Sequence, residues 1–246
     1  MSRELALVST DRLFYTVQGE GPLTGVPSVF LRLDTCNLKC KWGDTLCDAH
    51  YTSWTPSGQK MLIENLVAEV AEVMARHRAQ FLVITGGEPA LQPEVIRALT
   101  KFGRNVSEVP WHTTLETNGT VFVEDHGLDL ICLSPKLQSS VPVGTKYEAV
   151  HERNRWKPEA VKAWMASAAY YFKFVVDTKE DLAEVEAMLR EVNQPWSPTR
   201  VLLMPQGVDS ETLWQRGRWL VEECKRLGAR FAPRIQVDLW GNTPGT

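Results

Sequence analysis

Short β-branched or aromatic runs alternate in this chain with longer stretches of helical period. That alternation constrains the fold most, because successive strand–helix units close as a parallel sheet covered by helices. The runs fall at residues 28–33 (SVFLRL), 81–85 (FLVIT), 112–117 (HTTLET), 128–133 (LDLICL), 170–176 (YYFKFVV) and 200–204 (RVLLM). Between them, residues 60–77 place Leu62, Ile63, Leu66, Val67, Val70, Val73 and Met74 on one apolar helical face. Thr178, with Asp181 three residues on, resembles a capping-box start for a second helix. A last helix is expected from Asp209 to Leu227, with Gly228 placed to end it. Residues 137–155 are the least regular and read as an excursion over one mouth of the sheet.

The residues directly after the strands are polar or glycine-rich: Gly86-Gly87-Glu88-Pro89, Asn118-Gly119, Ser134-Pro135-Lys136 and Pro205-Gln206-Gly207. Any one of these alone reads as a tight turn. Four of them at the carboxyl ends of parallel strands read as a binding mouth, where loops of α/β folds converge.

At 246 residues and 43% apolar composition the chain can bury one large core. Its 27 basic and 30 acidic residues are mixed along the chain and give a net charge of −3, with no polybasic run. Nucleic acid is therefore not an expected partner. No segment approaches the ~18 apolar residues of a membrane span, and the N-terminus lacks the apolar stretch of a signal peptide, so the expectation is a cytoplasmic protein without a membrane partner.

In a reducing compartment, clustered thiols point to a metal or to catalysis before disulfides. Three of the five cysteines, Cys36, Cys40 and Cys47, fall within twelve residues, while Cys132 and Cys224 stand apart and read as buried apolar residues. Three thiolates can hold three irons of a cubic [4Fe–4S] cluster and leave the fourth iron open. A structural zinc site needs a fourth ligand, and His50 is near enough in sequence to supply one.

The cysteine loop, together with FYTVQGEGPLTGVPSVFLRL, ITGGEPALQ, ETNGT, SPK, LLMPQG and PRIQVDLWGN, resembles the radical SAM superfamily and, within it, the 7-carboxy-7-deazaguanine synthase family. The GGEP motif is shared widely in the superfamily; QGEG followed by GVPSVFLRL and the cysteines is much more specific. The usual C-x3-C-x2-C spacing is not kept, since Gly43 stands where the third cysteine is expected. Reading GDTL as a four-residue insertion makes Cys47 the third ligand, in a C-x3-C-x6-C loop whose added closure entropy is about 1 kcal/mol.

The resemblance implies a partial, TIM-like parallel barrel forming one domain over residues 1–246, with a substrate-binding N-terminal turn in 1–27 and a cluster loop in 36–54. It implies a lyase using a [4Fe–4S] cluster on Cys36, Cys40 and Cys47, S-adenosyl-L-methionine (SAM) and Mg2+, acting on a carboxylated pterin. SAM contacts are expected at Gly86, Gly87, Glu88, Asn118, Ser134, Pro135, Lys136 and Gln206, with Glu88 accepting from the SAM ammonium. Substrate contacts are expected at Gln18, Gly19, Glu20, Arg32, Thr85, Gln236 and Thr246. By its sequence position alone, Arg32 is equally an outward residue of its strand; the resemblance makes it the carboxylate partner. Gln236 stands where relatives often have histidine and cannot carry a proton near neutral pH.

The family's magnesium-ligating threonine corresponds to Thr45 under one alignment and is lost as Ala49 under the other. A homodimer and an electron donor such as flavodoxin or ferredoxin are further implications. The remaining histidines, His77, His112, His126 and His151, read as surface or turn residues. Two competing readings are a glycyl-radical activase, which shares the cluster and GGEP but lacks QGEG, and a non-catalytic zinc-binding module.

Overall fold

The computed structural model describes residues 4–106 and 109–246. In chain order the elements are β1 (Leu5–Val17), β2 (Pro27–Leu33), β3 (Lys41–Trp42), β4 (Thr45–Leu46), α1 (His50–Ser53), β5 (Gln59–Leu62), α2 (Ile63–His77), β6 (Phe81–Gly86) and α3 (Pro93–Asn105). There follow β7 (His112–Thr117), β8 (Leu130–Leu133), α4 (Glu148–Asn154), α5 (Pro158–Ser167), β9 (Ala169–Val176), α6 (Asp181–Glu191), β10 (Val201–Pro205), α7 (Ser210–Leu227), β11 (Arg230–Phe231) and α8 (Ile235–Trp240).

One nine-stranded sheet runs β11-β10-β9-β8-β7-β6-β2-β1-β5. From β2 through β6 to β11 the pairs are parallel, and β1 joins β2 and β5 antiparallel. The ends of this order, β5 and β11, do not pair, so among the described residues the barrel is incomplete.

Every strand that lines the interior sorts its side chains by the period of two. Tyr170, Phe172, Phe174 and Val176 of β9 join the large core beneath the helices, and Tyr171 packs with Cys132, Leu202 and Met204 on the opposite, concave face. Likewise Val29, Leu31 and Leu33 of β2, and Leu82 and Ile84 of β6, enter the outer core. Phe30, Arg32 and Thr85 are thereby left facing the concave side. Each fully buried aliphatic on the outer face contributes about 1.5–3 kcal/mol, which holds the sheet to its helices and leaves the other face free for polar residues.

Several elements differ from the sequence expectation. β1 is a thirteen-residue strand not anticipated in the sequence, because Thr10-Asp11-Arg12 interrupts its apolar runs where its register with β2 shifts between Val8 and Leu13. Residues 59–62 pair with β1 as an edge strand, so the helix expected from residue 60 begins at Ile63; tertiary pairing overrides local helical period there. The helix expected from Thr178 starts at Asp181, whose carboxylate accepts the N–H groups of Asp177 (2.7 Å) and Thr178 (3.1 Å).

The last helix has the expected ends: Asp209 accepts from the Thr212 N–H at 2.8 Å, and Gly228 closes it at φ +66°. The excursion at 137–155 contains a helical turn and α4. His126 and His151 are 5% and 1% exposed, not surface residues. Cys132 and Cys224 are buried.

Candidate active site

The six residues between Cys40 and Cys47 fold as the hairpin β3–β4, with Lys41 opposite Leu46 and Trp42 opposite Thr45. Gly43 supplies the positive φ, +56°, that the first central position of such a two-residue turn requires. The register carries on by one pair, so that the Cys47 N–H donates to the Cys40 carbonyl at 3.2 Å. Although Cys47 is displaced in sequence, it returns beside Cys40, and Trp54 Nε1 ties the Cys40 carbonyl down further at 3.1 Å.

Cys36, Cys40 and Cys47 line one cavity of about 260 Å³ at the carboxyl ends of the strands. Burial pushes the Cys36 thiol up to about 11 and the Cys40 thiol to about 12, and Cys47 is raised as well. Each thiol therefore holds its proton until a metal displaces it. Three soft sulfur donors on one wall suit an iron–sulfur cluster. His50, the fourth ligand that a zinc site needs, is exposed and off the cavity wall.

The same wall carries Gly86, Gly87, Asn118, Ser134 and Lys136 from the ends of β6, β7 and β8, and Gln18, Gly19, Glu20, Arg32, Thr85, Gln236 and Thr246. Glu88, Pro135 and Gln206, expected at SAM, are not on it. The Glu88 side chain is fully buried and accepts from Thr117 Oγ1 (2.6 Å), the Ala90 N–H (3.0 Å) and the Asn118 N–H (2.7 Å). It binds the β6 loop to the β7 loop. Burial raises its pKa despite those bonds. The Gln206 amide oxygen accepts from Arg216 of α7.

The glycines of GGEP meet the chain itself. A Cβ on Gly86 would lie 2.0 Å from the Leu33 carbonyl oxygen, and one on Gly87 2.2 Å from that of Thr35. The absence of side chains lets the β6 loop lie directly on the segment that leads into Cys36.

Arg32 has no hydrogen-bonded partner on its buried Nε; its nearest carboxylate oxygen, on Asp11, is 3.7 Å away. The guanidinium lies 5.3 Å from the Phe14 ring centre and 5.7 Å from that of Tyr51, which fixes its plane. Gln236 Oε1 is also buried and unpartnered. Ser134 and Lys136 are joined, with Lys136 Nζ donating to the Ser134 carbonyl (2.8 Å) and Oγ (2.9 Å).

Sequence reasoning missed the charged floor of this cavity. Lys173 donates to Glu20 Oε2 at 2.6 Å and to Glu116 Oε2 at 2.9 Å. Arg234 donates to Glu20 and to Asp48, and Gln236 Nε2 to Glu20 at 2.8 Å. Against its burial, Lys173 and Arg234 hold the Glu20 carboxyl far below its ordinary range. The Glu20 carboxylate is therefore committed to protein partners. A lysine at the centre of the apolar strand YYFKFVV was the signal for this network.

The incomplete parallel barrel and its three-thiol wall define a radical SAM protein, and residues 31–136 match the family model described as Radical SAM superfamily. Over 248 residues the chain is 35% identical to the 7-carboxy-7-deazaguanine synthase of Halobacterium salinarum, covering 96% of this chain and 91% of that protein. It is 36% identical to the enzyme of the same name from Rhodopirellula baltica, over 95% of this chain and 86% of the relative. It belongs to the 7-carboxy-7-deazaguanine synthase family. Its fold is also that of QueE from Escherichia coli, with a TM-score of 0.65 over 93% of both chains at 23% identity.

Proposed function

We propose that the chain, acting as one radical SAM core domain over residues 1–246, converts 6-carboxy-5,6,7,8-tetrahydropterin to 7-carboxy-7-deazaguanine with release of ammonia, as a carbon–nitrogen lyase. The observation that carries this reading is the hairpin that returns Cys47 beside Cys40, on the wall that also holds Arg32 and the Gln18–Glu20 turn. Cys36, Cys40 and Cys47 hold the [4Fe–4S] cluster, with residues 36–54 as its loop. The cluster and SAM, when bound, supply a carbon-centred radical able to abstract hydrogen from the substrate.

The protein's own task is placement. Arg32, with no hydrogen bond on its Nε and with the Phe14 and Tyr51 rings near its guanidinium, takes the substrate carboxylate through two parallel bonds. Gln236 Oε1 accepts an N–H of the ring edge, and the Gln18 amide, the backbone of Gly19 and Glu20, and Thr85 meet the rest. Gly86, Gly87, Asn118, Ser134 and Lys136 border SAM, Glu88 braces the β6 and β7 loops beneath it, and Pro135 and Gln206 flank the site from the ends of β8 and β10. Residues 241–246, including Thr246, line the same cavity and are placed to meet the substrate.

Magnesium, the remaining expected cofactor, finds neither of its two alternative threonine positions offering a hydroxyl on the cavity wall. Ala49 puts a methyl group on the cavity wall where a hydroxyl ligand is expected, and Thr45 lies in β4, off the wall. A cytoplasmic homodimer reduced by a flavodoxin or ferredoxin completes the reading. Among the described residues no helix is long and apolar enough to cross a membrane.

The test is anaerobic reconstitution followed by incubation with SAM, reductant and carboxytetrahydropterin, with products separated by mass. Deazaguanine product supports the reading. Formation of 5′-deoxyadenosine alone retains the radical chemistry and rejects the substrate, and a colourless, zinc-loaded protein rejects both.

A further inference from the structure

Arg234 is 7% exposed and spreads its nitrogens over three loops. Nε donates to Glu20 Oε1 at 2.9 Å, Nη1 to the Gly207 carbonyl at 2.6 Å, and Nη2 to Asp48 Oδ2. The neighbouring Ile235 N–H donates to the Gly19 carbonyl at 3.1 Å, so the segment is tied to that turn twice. The other oxygen of Asp48, Oδ1, takes the Ala49 N–H at 2.9 Å and faces Cys47 Sγ at 3.5 Å. One rigid, planar guanidinium thus joins the QGEG turn to the residue beside the third cluster cysteine.

The two ends of this link are unequally held. Glu20 keeps Lys173 and Gln236 when Arg234 is removed. Asp48 has Arg234 as its one ion-pair partner among the described residues, and its side chain is 44% exposed. Loss of the guanidinium therefore releases the cysteine-loop end and leaves the turn largely in place.

Resting on the substrate and SAM sites assigned above, we propose that Arg234 is a positioning residue that couples occupation of the Gln18–Glu20 turn to the cysteine loop, so that the pterin and SAM bind with positive cooperativity. A ligand that fixes the turn fixes Arg234, Asp48 and the loop with it, and the second ligand no longer meets that ordering cost. By linkage, each ligand tightens the other by the same factor.

Calorimetric titration of the reconstituted, unreduced protein tests this. The probe is 6-carboxypterin, the aromatic and unreactive counterpart of the proposed substrate, titrated with and without SAM. Wild type is expected to bind the probe ~10-fold more tightly with SAM, inside the range usual for coupled sites. Arg234→Met, and Arg234→Lys, which keeps the charge but cannot span both carboxylates, are expected to bring that factor to about 1. Lys173→Met weakens the probe but keeps the factor, since the link to Asp48 remains. Independent binding in wild type, or a wild-type factor in both Arg234 variants, overturns the coupling while leaving the assigned function standing. A protein that binds SAM but not the probe overturns the substrate reading, and the coupling falls with it.

Discussion

Cys47 and Cys40 are cross-strand neighbours, joined by a 3.2 Å hydrogen bond from the Cys47 N–H to the Cys40 carbonyl. A spacing of six residues thereby still brings the two cysteine backbones side by side. The hairpin between them carries the insertion outward, with Gly43 and Asp44 exposed at its tip. Cys47→Ala should therefore cut iron and sulfide per chain severalfold and abolish turnover. Cys132→Ala, on the concave face but away from the cysteine wall, should retain wild-type iron. Equal iron in the Cys47 variant and wild type rejects the ligand assignment.

Arg32 has no hydrogen bond at its buried Nε, and its ion pair with Asp11 is a loose 3.7 Å. Charge-assisted bonds contribute about 1.5–3 kcal/mol, so Arg32→Ala should raise KM by ~10- to 100-fold. Arg32→Lys keeps charge but loses the fork and should fall between. Unchanged KM in both variants would place the substrate carboxylate elsewhere.

With Thr45 off the cavity wall and Ala49 lacking a hydroxyl, neither alternative threonine position supplies a magnesium ligand, and turnover should be insensitive to removal of divalent cations. The measurement is initial rate after exhaustive chelation, with and without added Mg2+. A severalfold rise on adding Mg2+ would show that other groups, or the substrate itself, complete a magnesium site.

His151 is 1% exposed; its Nδ1 accepts from the Lys39 N–H at 3.2 Å and its Nε2 lies 3.3 Å from Ser140 Oγ. Burial, helped by Arg155 and Lys136, pulls its pKa down to about 4. An unfolded histidine titrates near ~6.5, so between those values the unfolded chain binds the extra proton. The His151 contribution to stability is present above that window and is lost as pH falls through it, by up to about 1.4 kcal/mol per pH unit. Denaturant unfolding of wild type and His151→Gln from pH 7 to 4 should show a shallower acid limb in the variant. Parallel limbs would mean that His151 is already protonated in the fold.

The turn at Gln18–Glu20, the three thiols and the strand-end loops stand out because each is written in a few adjacent residues, whereas Arg32 was singled out by the family resemblance alone. β1 was not legible, because its apolar runs are broken by Thr10-Asp11-Arg12 and only pairing with β2 and β5 makes one strand of them. Glu88 was legible as a motif residue, but its burial beneath the loops was not. Local sequence does not say which partners an acid will find thirty residues away.

By itself the sequence determined the parallel α/β architecture, the family and the cysteine supply, since periodicity and motif are local properties. Only the tertiary structure decided that Cys47 returns to Cys40, that the GGEP glycines lie against the chain, and that Glu20 answers to Lys173 and Arg234. Those last pairs are 153 and 214 residues apart in the chain. Their charges meet because a curved sheet brings the end of β1, the middle of β9 and the start of α8 to one cavity, where low exposure makes each unpaired charge costly and each partner decisive.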